Sequence, residues 1–417
     1  MSDPAWRDSN KVELLINGET FFPSVFDAIR GAREEVLIET FILFEDKVGL
    51  ELHEVLVDAG KRGVRINLMV DGYGSPDLSA QYLSELSAAG VQVQVFGARP
   101  KLLGMRTNLF RRLHRKLVVV DATDAWVGGI NYSHDHLRDF GPEGKQDYAV
   151  KVRGPVVDDI RSFMLRAMAG KPARRWWRRR ARWAPDPALP QSEGAQVLFV
   201  TRDNVNHRDD IEKHYRAVIR SANREVMLAN AYFFPGYRIL REFRNAARRG
   251  VRVRLILQGQ PDKKIMRWAA MSLYDYLLRA GVEIYEYVER PLHAKIALAD
   301  EEWSTVGSSN LDPLSLALNL EANLMIRDRS FNAGLREHME CLIDEHCQRI
   351  VSEHAHRPLI WQRVVTFFVF HFLRHFPAWA GWFPAHAGKL TKIEPLRSEA
   401  PDWPGANGNV ALSPREK

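Results

Sequence analysis

The chain has 417 residues, 46% hydrophobic and 27% charged, a balance that excludes wholesale disorder and leaves room for two ordinary domains with full cores. A formal net charge of +7 points to anionic partners, and by itself it does not choose among nucleic acid, anionic lipid and phosphorylated substrates. Met1 to Asn10 is polar with no apolar run, so it reads as neither a signal peptide nor a membrane anchor.

Taken in chain order, the predicted elements come twice. Glu34–Leu43 (EEVLIETFIL) predicts a buried strand, followed by a helix-like stretch ending in Lys61-Arg62-Gly63 and a strand over Val64–Val70. Arg224–Phe234 (REVMLANAYFF) predicts the same strand again, with a helix ending in Arg248-Arg249-Gly250 and a strand over Val251–Leu257. Each half then adds a helix and a strand before a histidine motif. Strands alternating with ordinary helices predict an α/β fold. We expect two similar halves related by a pseudo-twofold axis, each a mixed, mostly parallel sheet flanked by helices. Continuously apolar strands suit sheets covered on both faces.

The expected boundaries are an N-terminal half over 1–170, a linker over 171–193 and a C-terminal half over 194–352. The linker opens with Lys171–Trp183 (KPARRWWRRRARW) and continues into the Pro-rich Pro185–Pro190. Residues 353–388 contain the apolar, aromatic run Leu359–Phe376, interrupted by Arg363, His371, Arg374 and His375 and followed by Pro377. Residues 389–417 are polar and rich in Pro and Gly, and are expected to be disordered. Cys341 and Cys347, six residues apart in a helical stretch, read as two reduced thiols.

The chemistry lies in the repeated motif. The first copy is His114-Arg-Lys116, four residues, Asp121, six residues, Gly128-Gly129-Ile-Asn131. The second is His293-Ala-Lys295, four residues, Asp300, six residues, Gly307-Ser308-Ser309-Asn310. On an extended strand, positions i and i+2 share a side, so His114 projects with Lys116 and His293 with Lys295. A turn then returns Gly129 and Asn131, or Ser308 and Asn310, toward that side. Glycine there would let backbone amides approach a phosphate, and asparagine supplies an amide donor. Two halves meeting about a pseudo-twofold axis would surround one phosphate with two histidines, two lysines and two asparagines. Such a site can exchange phosphodiesters with no metal and no cofactor. A neutral imidazole attacks phosphorus, and the other, protonated, supplies the leaving alcohol with a proton. The lysines and amides hold the oxygens. Each imidazole needs a carboxylate on its other nitrogen, and the candidates are Asp147 in KQDYAV and Glu321 in NLEANL.

These residues resemble the phospholipase D superfamily, in which each half of the enzyme contributes one such motif. The resemblance covers nearly all of residues 10–350. Within the superfamily the chain is similar to bacterial cardiolipin synthases, most nearly the shorter B type that lacks an N-terminal membrane hairpin. IETFILFED (Ile38–Asp46), DGYGSPDLS (Asp71–Ser79), GMRTNLFRRLHRK (Gly104–Lys116), RDDIEKHY (Arg208–Tyr215), NAYFFPGYR (Asn230–Arg238) and VGSSNLDPLSLALNLEAN (Val306–Asn323) carry that likeness. The resemblance implies a ping-pong mechanism with His114 as nucleophile and His293 as general acid and base. It implies a carboxylate 28 residues beyond the motif histidine, which fits Glu321 for His293; for His114 the looser candidate is Asp147, 33 residues on. It also implies that Asp121 and Asp300, counted with the catalytic set, are mainly structural.

The flanking sequence bears on the substrate. Several basic residues near an anionic bilayer are worth ~1 kcal/mol each, and tryptophan favours the headgroup interface, so Lys171–Trp183 reads as a surface anchor rather than a solvated linker. Leu359–Phe376 reads as an amphipathic helix in the interface, because its arginines and histidines are costly at mid-bilayer; the alternative is a helix packed on the catalytic domain. Arg106, Arg111 and Arg112 are candidates for holding a second anionic headgroup. The expectation is a peripheral protein on the cytoplasmic face of a bacterial cell membrane. It would transfer a phosphatidyl group from phosphatidylglycerol, with phosphatidylethanolamine as a second candidate lipid, onto phosphatidylglycerol to give cardiolipin and glycerol. A hydrolytic phospholipase D and a nuclease are the alternatives, with nucleic acid the less favoured partner.

Overall fold

The structure is a computed structural model that describes residues 5–97, 112–170, 194–259, 273–351 and 390–392. Arg106, Arg111, the Lys171–Trp183 segment and Leu359–Phe376 lie outside the described residues.

The first half contributes β1 (Arg7–Ile16), β2 (Glu35–Thr40), β3 (Arg65–Asp71), β4 (Gln92–Phe96), β5 (Leu117–Val120), β6 (Asp124–Gly128) and β7 (Tyr148–Arg153). The second contributes β8 (Ala195–Arg202), β9 (Glu225–Asn230), β10 (Arg252–Gln258), β11 (Glu283–Tyr287), β12 (Lys295–Ala299), β13 (Trp303–Gly307) and β14 (Glu321–Arg327). The order is β4-β3-β2-β5-β6-β7-β1 in one half and β11-β10-β9-β12-β13-β14-β8 in the other, so the two are copies of one topology. β1 and β8 pair antiparallel and join them into one sixteen-stranded sheet. The outer edges are covered by β15 (Cys347–Ile350) on β11 and β16 (Leu390–Lys392) on β4. Thus three residues of the stretch expected as a disordered tail form a strand.

The expectation of mostly parallel sheets needs correction. Among the described strand pairs four are parallel, β2–β3, β3–β4, β9–β10 and β10–β11, and eleven are antiparallel. Parallel pairing is confined to the second, third and fourth strands of each repeat, β2–β3–β4 and β9–β10–β11. The β5–β6 and β12–β13 connections are tight turns, which can only return the chain antiparallel.

The repeated Arg-Gly explains how each crossover ends. Helices α2 (Lys47–Lys61) and α6 (Tyr237–Arg248) follow α1 (Asn17–Gly31) and α5 (Asp210–Ser221) in their halves. Gly63 and Gly250 take φ of 88° and 89°, the left-handed conformation that terminates a helix. The arginine before each reaches the carbonyls at the neighbouring helix end: Arg62 binds Ile29 and Ala32, and Arg249 binds Ile219 and Ala222. One dipeptide therefore stops one helix and caps another.

Two cores lie under the outer helices, one per half. A third is shared: α4 (Val156–Met168) of the first half and helix Arg329–His346 of the second both pack into it. Phe163 of α4 meets Phe199 of β8 with ring centroids 5.5 Å apart, and Tyr148 of β7 bonds His338 of the last helix at 2.9 Å. This shared core fixes the halves against each other and so fixes the site between them.

The halves differ in one buried pair beside the site. Arg115 donates to Glu39 at 2.5 Å, both buried, whereas the same positions in the second half are Ala294 and Ala229. Breaking a buried pair strands a charge, so Arg115→Ala should cost ~3–5 kcal/mol of stability. The double variant Glu39→Ala/Arg115→Ala, copying the second half, should recover at least half of that in urea unfolding. A double variant no more stable than Arg115→Ala would refute the account.

Candidate active site

The site forms where the two halves exchange short backbone bridges. His114 N–H donates to the Leu320 carbonyl at 3.0 Å, and Leu320 N–H donates to Arg112 at 2.9 Å. On the other side Gln146 N–H donates to Pro291 at 2.9 Å, and His293 N–H donates to Gln146 at 2.8 Å. These are parallel bridges, Leu113 beside Leu320 and Gln146 beside Leu292. Each motif histidine is thereby set beside the carboxylate of the opposite half.

The imidazole pairs accordingly cross. His114 Nδ1 lies 3.0 Å from Glu321 Oε2, and His293 Nδ1 lies 2.6 Å from Asp147 Oδ2. The sequence spacing had matched Glu321 to His293 and Asp147 to His114. Both carboxylates belong to the site, but that matching is reversed, because spacing along a chain does not report which strand lies beside which. With Nδ1 on a carboxylate, Nε2 of each ring is the nitrogen left for chemistry.

Burial dominates the electrostatics. It lowers the pKa of His114, against the pull of Glu321. It drives His293 well below the ordinary value, helped by the charges of Lys295, Lys145 and Lys116. Both rings are therefore neutral in the empty site near pH 7. Burial also pushes Lys116 down to about 7 and Lys295 down to about 8, partly offset by Glu321 and Asp147. Lys116 Nζ donates to the His114 carbonyl at 2.8 Å, and Lys295 Nζ donates to the His293 carbonyl. An arriving phosphate anion would favour the charged form of both amines.

The turns after β6 and β13 do less than the sequence suggested. Gly129 N–H is bonded to Tyr148 and Ser308 N–H to Ala322, so those amides are occupied by the protein rather than presented to phosphate. The glycine at 129 makes room instead: a Cβ there would come within 2.3 Å of Asp147 Oδ1. At the equivalent position Ser308 donates its hydroxyl to Glu321 Oε2 at 2.5 Å. Asn131 accepts Ile42 N–H on Oδ1 at 3.2 Å, which leaves its side-chain NH₂ as the donor, and Asn310 is buried nearby in the second motif. Arg112 lies with its guanidinium 4.1 Å from the Tyr73 ring and 5.7 Å from that of Phe41, which itself packs on His114.

Asp121 and Asp300 do not enter the site. β5 and β12 separate them from the histidines, a run of four or five residues at ~3.3 Å each. Each takes the left-handed φ of 49° and gathers three backbone amides: Arg33, Glu34 and Glu35 at 2.8–3.0 Å for Asp121, and Asn223, Arg224 and Glu225 for Asp300. They anchor the starts of β2 and β9, so the recurrent spacing is a strand length.

Three residues escaped the sequence reading. Asp71 binds Leu113 N–H at 2.8 Å and steadies the approach to His114. Lys145 pairs with Asp135 and adds positive potential near His293. His136 is fully buried, with its ring centroid 5.8 Å from that of His293. The pattern NYSHDH held a signal, a histidine five residues past Asn131, with no counterpart in the second motif. His136, Asp147 and His293 present atoms within 4.8 Å of one another, a spacing a metal could exploit. Their surroundings oppose it: Lys295 Nζ is 2.9 Å from His293 Nδ1, and Lys145 and Lys116 add further positive charge. Asp121→Asn should keep the rate per folded molecule within about twofold while losing ~1–3 kcal/mol of stability from its lost amide partners; a large fall in kcat with unchanged stability would return Asp121 to the catalytic set.

Comparison with known proteins agrees with this geometry. The family model described as "Cardiolipin synthase, PLD-like domain" matches residues 25–160 and 215–343, one stretch in each half. Cardiolipin synthase B of Escherichia coli strain K12 is 53% identical over 392 residues, covering 94% of each chain, and the Salmonella typhi protein is equally similar over 391. Cardiolipin synthase A of Pseudomonas fluorescens SBW25 is 35% identical over 81% of this chain and 68% of its own. Among solved structures, the phosphatidylserine synthase of Haemophilus influenzae Rd KW20 superposes with a TM-score of 0.63 at 14% identity, over 87% of this chain and 92% of that one. At that identity it speaks for the fold alone. With matching motifs in both halves and relatives alike over nearly the full chain, this protein belongs to the cardiolipin synthase family of the phospholipase D superfamily.

Proposed function

We propose that this phosphatidyltransferase makes cardiolipin by moving a phosphatidyl group between two phosphatidylglycerol molecules through a phosphatidyl-histidine. The observation that carries the mechanism is the pair of crossed imidazole–carboxylate contacts, which occupy Nδ1 of each ring and leave Nε2 for chemistry in two imidazoles near enough to feel each other's charge. Neutral His114 attacks phosphorus with Nε2, so a P–N bond forms as the P–O bond to the glycerol leaving group breaks. His293, neutral in the empty site, takes up a proton when the phosphodiester anion binds and gives that Nε2 proton to the leaving oxygen. The hydroxyl of a second phosphatidylglycerol then loses its proton to His293, attacks phosphorus and releases His114. Lys116, Lys295, Asn131 and Asn310 hold the phosphoryl oxygens.

The two catalytic halves span 1–170 and 194–352 in this reading, joined by the basic linker 171–193. The linker and the apolar segment within 353–388 hold the protein peripherally on an anionic, cytoplasmic membrane surface. Among the described residues no helix is long and apolar enough to cross a membrane.

Purified protein incubated with labelled phosphatidylglycerol should yield cardiolipin and glycerol; phosphatidic acid as the sole product would mean that water is the acceptor. His293→Ala should lower turnover by ~10²–10⁴-fold. Alkaline quenching should trap label on His114, and label on His293 instead would reverse the two roles. The lysines set the basic side of the pH profile. Each is charged below its lowered pKa and neutral above it, so kcat/KM should fall as pH rises through about 7 to 8. Lys116→Arg, which stays protonated, should move that fall to higher pH; an unshifted profile would remove Lys116 from phosphate binding.

A further inference from the structure

Each catalytic carboxylate has a second potential donor, and the two donors differ. Glu321 Oε2 accepts from His114 and from the Ser308 hydroxyl. Asp147 Oδ2 accepts from His293, but the residue matching Ser308 is Gly129, which has no hydroxyl and whose missing side chain Asp147 itself fills. What faces Asp147 instead is His136. Its Nδ1 lies 3.9 Å from Asp147 Oδ2 and has no hydrogen-bond partner, although the side chain is fully buried. Its Nε2 accepts the Asn131 backbone N–H at 3.3 Å. A neutral imidazole that accepts on Nε2 carries its proton on Nδ1. The ring therefore holds an N–H toward Asp147, about 1 Å beyond hydrogen-bond length.

We propose that His136 is a positioning residue for the proton-carrying histidine: with Asp147 Oδ1 taken by the Tyr148 backbone N–H, the His136 Nδ1–H is the second side-chain donor to Asp147 at Oδ2, standing in for the hydroxyl that Ser308 gives Glu321, and it sets the tautomer and basicity of His293. The position equivalent to His136 in the second motif is Ser315, so the device exists on one side only. The charged and titratable groups that face His136 are Asp135, 3.8 Å from Nε2 on its own turn, Asp147, Lys145 and His293. Burial pushes its pKa down to about 3, which keeps the ring neutral and its donor in place. A donor on Asp147 draws negative potential away from His293, so the His293 imidazolium is less stabilised and gives up its proton more readily. Removing the donor should raise the pKa of His293.

The chemistry rests on the transferase reading, but the test has an arm that does not. In the full-length protein, His136→Phe fills the ring's volume with no polar atom, and His136→Asn restores an N–H near the Nδ1 position. In the Phe variant we expect kcat to fall about tenfold at unchanged KM, with the alkaline limb of kcat moved to higher pH. His136→Asn should recover most of both. NMR titration of His293, assigned with His293→Gln, should show its pKa raised in His136→Phe and returned toward wild type in His136→Asn. An unchanged His293 titration in folded His136→Phe overturns the proposal, as does a folded His136→Asn no better than Phe. If Phe does not fold, His136→Ala is titrated with the same expectations. If wild type makes no cardiolipin while the His293 titration shifts as expected, the transferase reading fails and the positioning role stands.

Discussion

The structure depends on two short backbone exchanges between halves. Leu113–His114 lies beside Leu320, and Leu292–His293 lies beside Gln146. Each exchange carries a histidine of one half to the carboxylate of the other. Neither half alone pairs its motif histidine with a catalytic carboxylate, although each supplies one motif histidine, one motif lysine and one catalytic carboxylate. The shared core of α4, helix Arg329–His346 and the central strands holds the exchange in register. The single active site thus follows from an interface, and its symmetry is that of the repeat.

Enclosing these groups has an electrostatic consequence. Asp147, Glu321, Lys116 and Lys295 are all buried, two negative and two positive charges with two imidazoles among them. Buried charges survive when paired, and here the partners sit across the interface as well as within each strand. Desolvation lowers the pKa of both lysines and both histidines, so the empty site holds its protons loosely. A phosphodiester supplies the negative charge that such a site lacks. Binding and protonation are therefore coupled.

The repeat has been modified where the two sides need different chemistry or different packing. Ser308 stands where the first half has Gly129, Ser315 where it has His136, and Ala294 and Ala229 where it has the buried pair Arg115–Glu39. The outer helices, the Arg-Gly crossover ends and the aspartates that anchor β2 and β9 are kept in both halves. What is kept builds the scaffold, and what differs clusters around the two histidines and their carboxylates.

Much of this was legible in the sequence because it is local. The His-x-Lys alternation fixes a shared side of a strand, the Arg-Gly ends fix the crossovers, and a motif occurring twice announces two similar halves. Spacing could not tell that Asp121 and Asp300 serve backbone amides at the far end of the strand, since a constant interval can report strand length as well as chemistry. It could not give the sense of the sheets, which turns on whether a connection is a helix or a tight turn. Nor could it assign Glu321 to His114 and Asp147 to His293, or find His136 behind them. Those facts depend on which strands lie side by side, and that is decided by packing between residues as far apart as 207 positions in the chain.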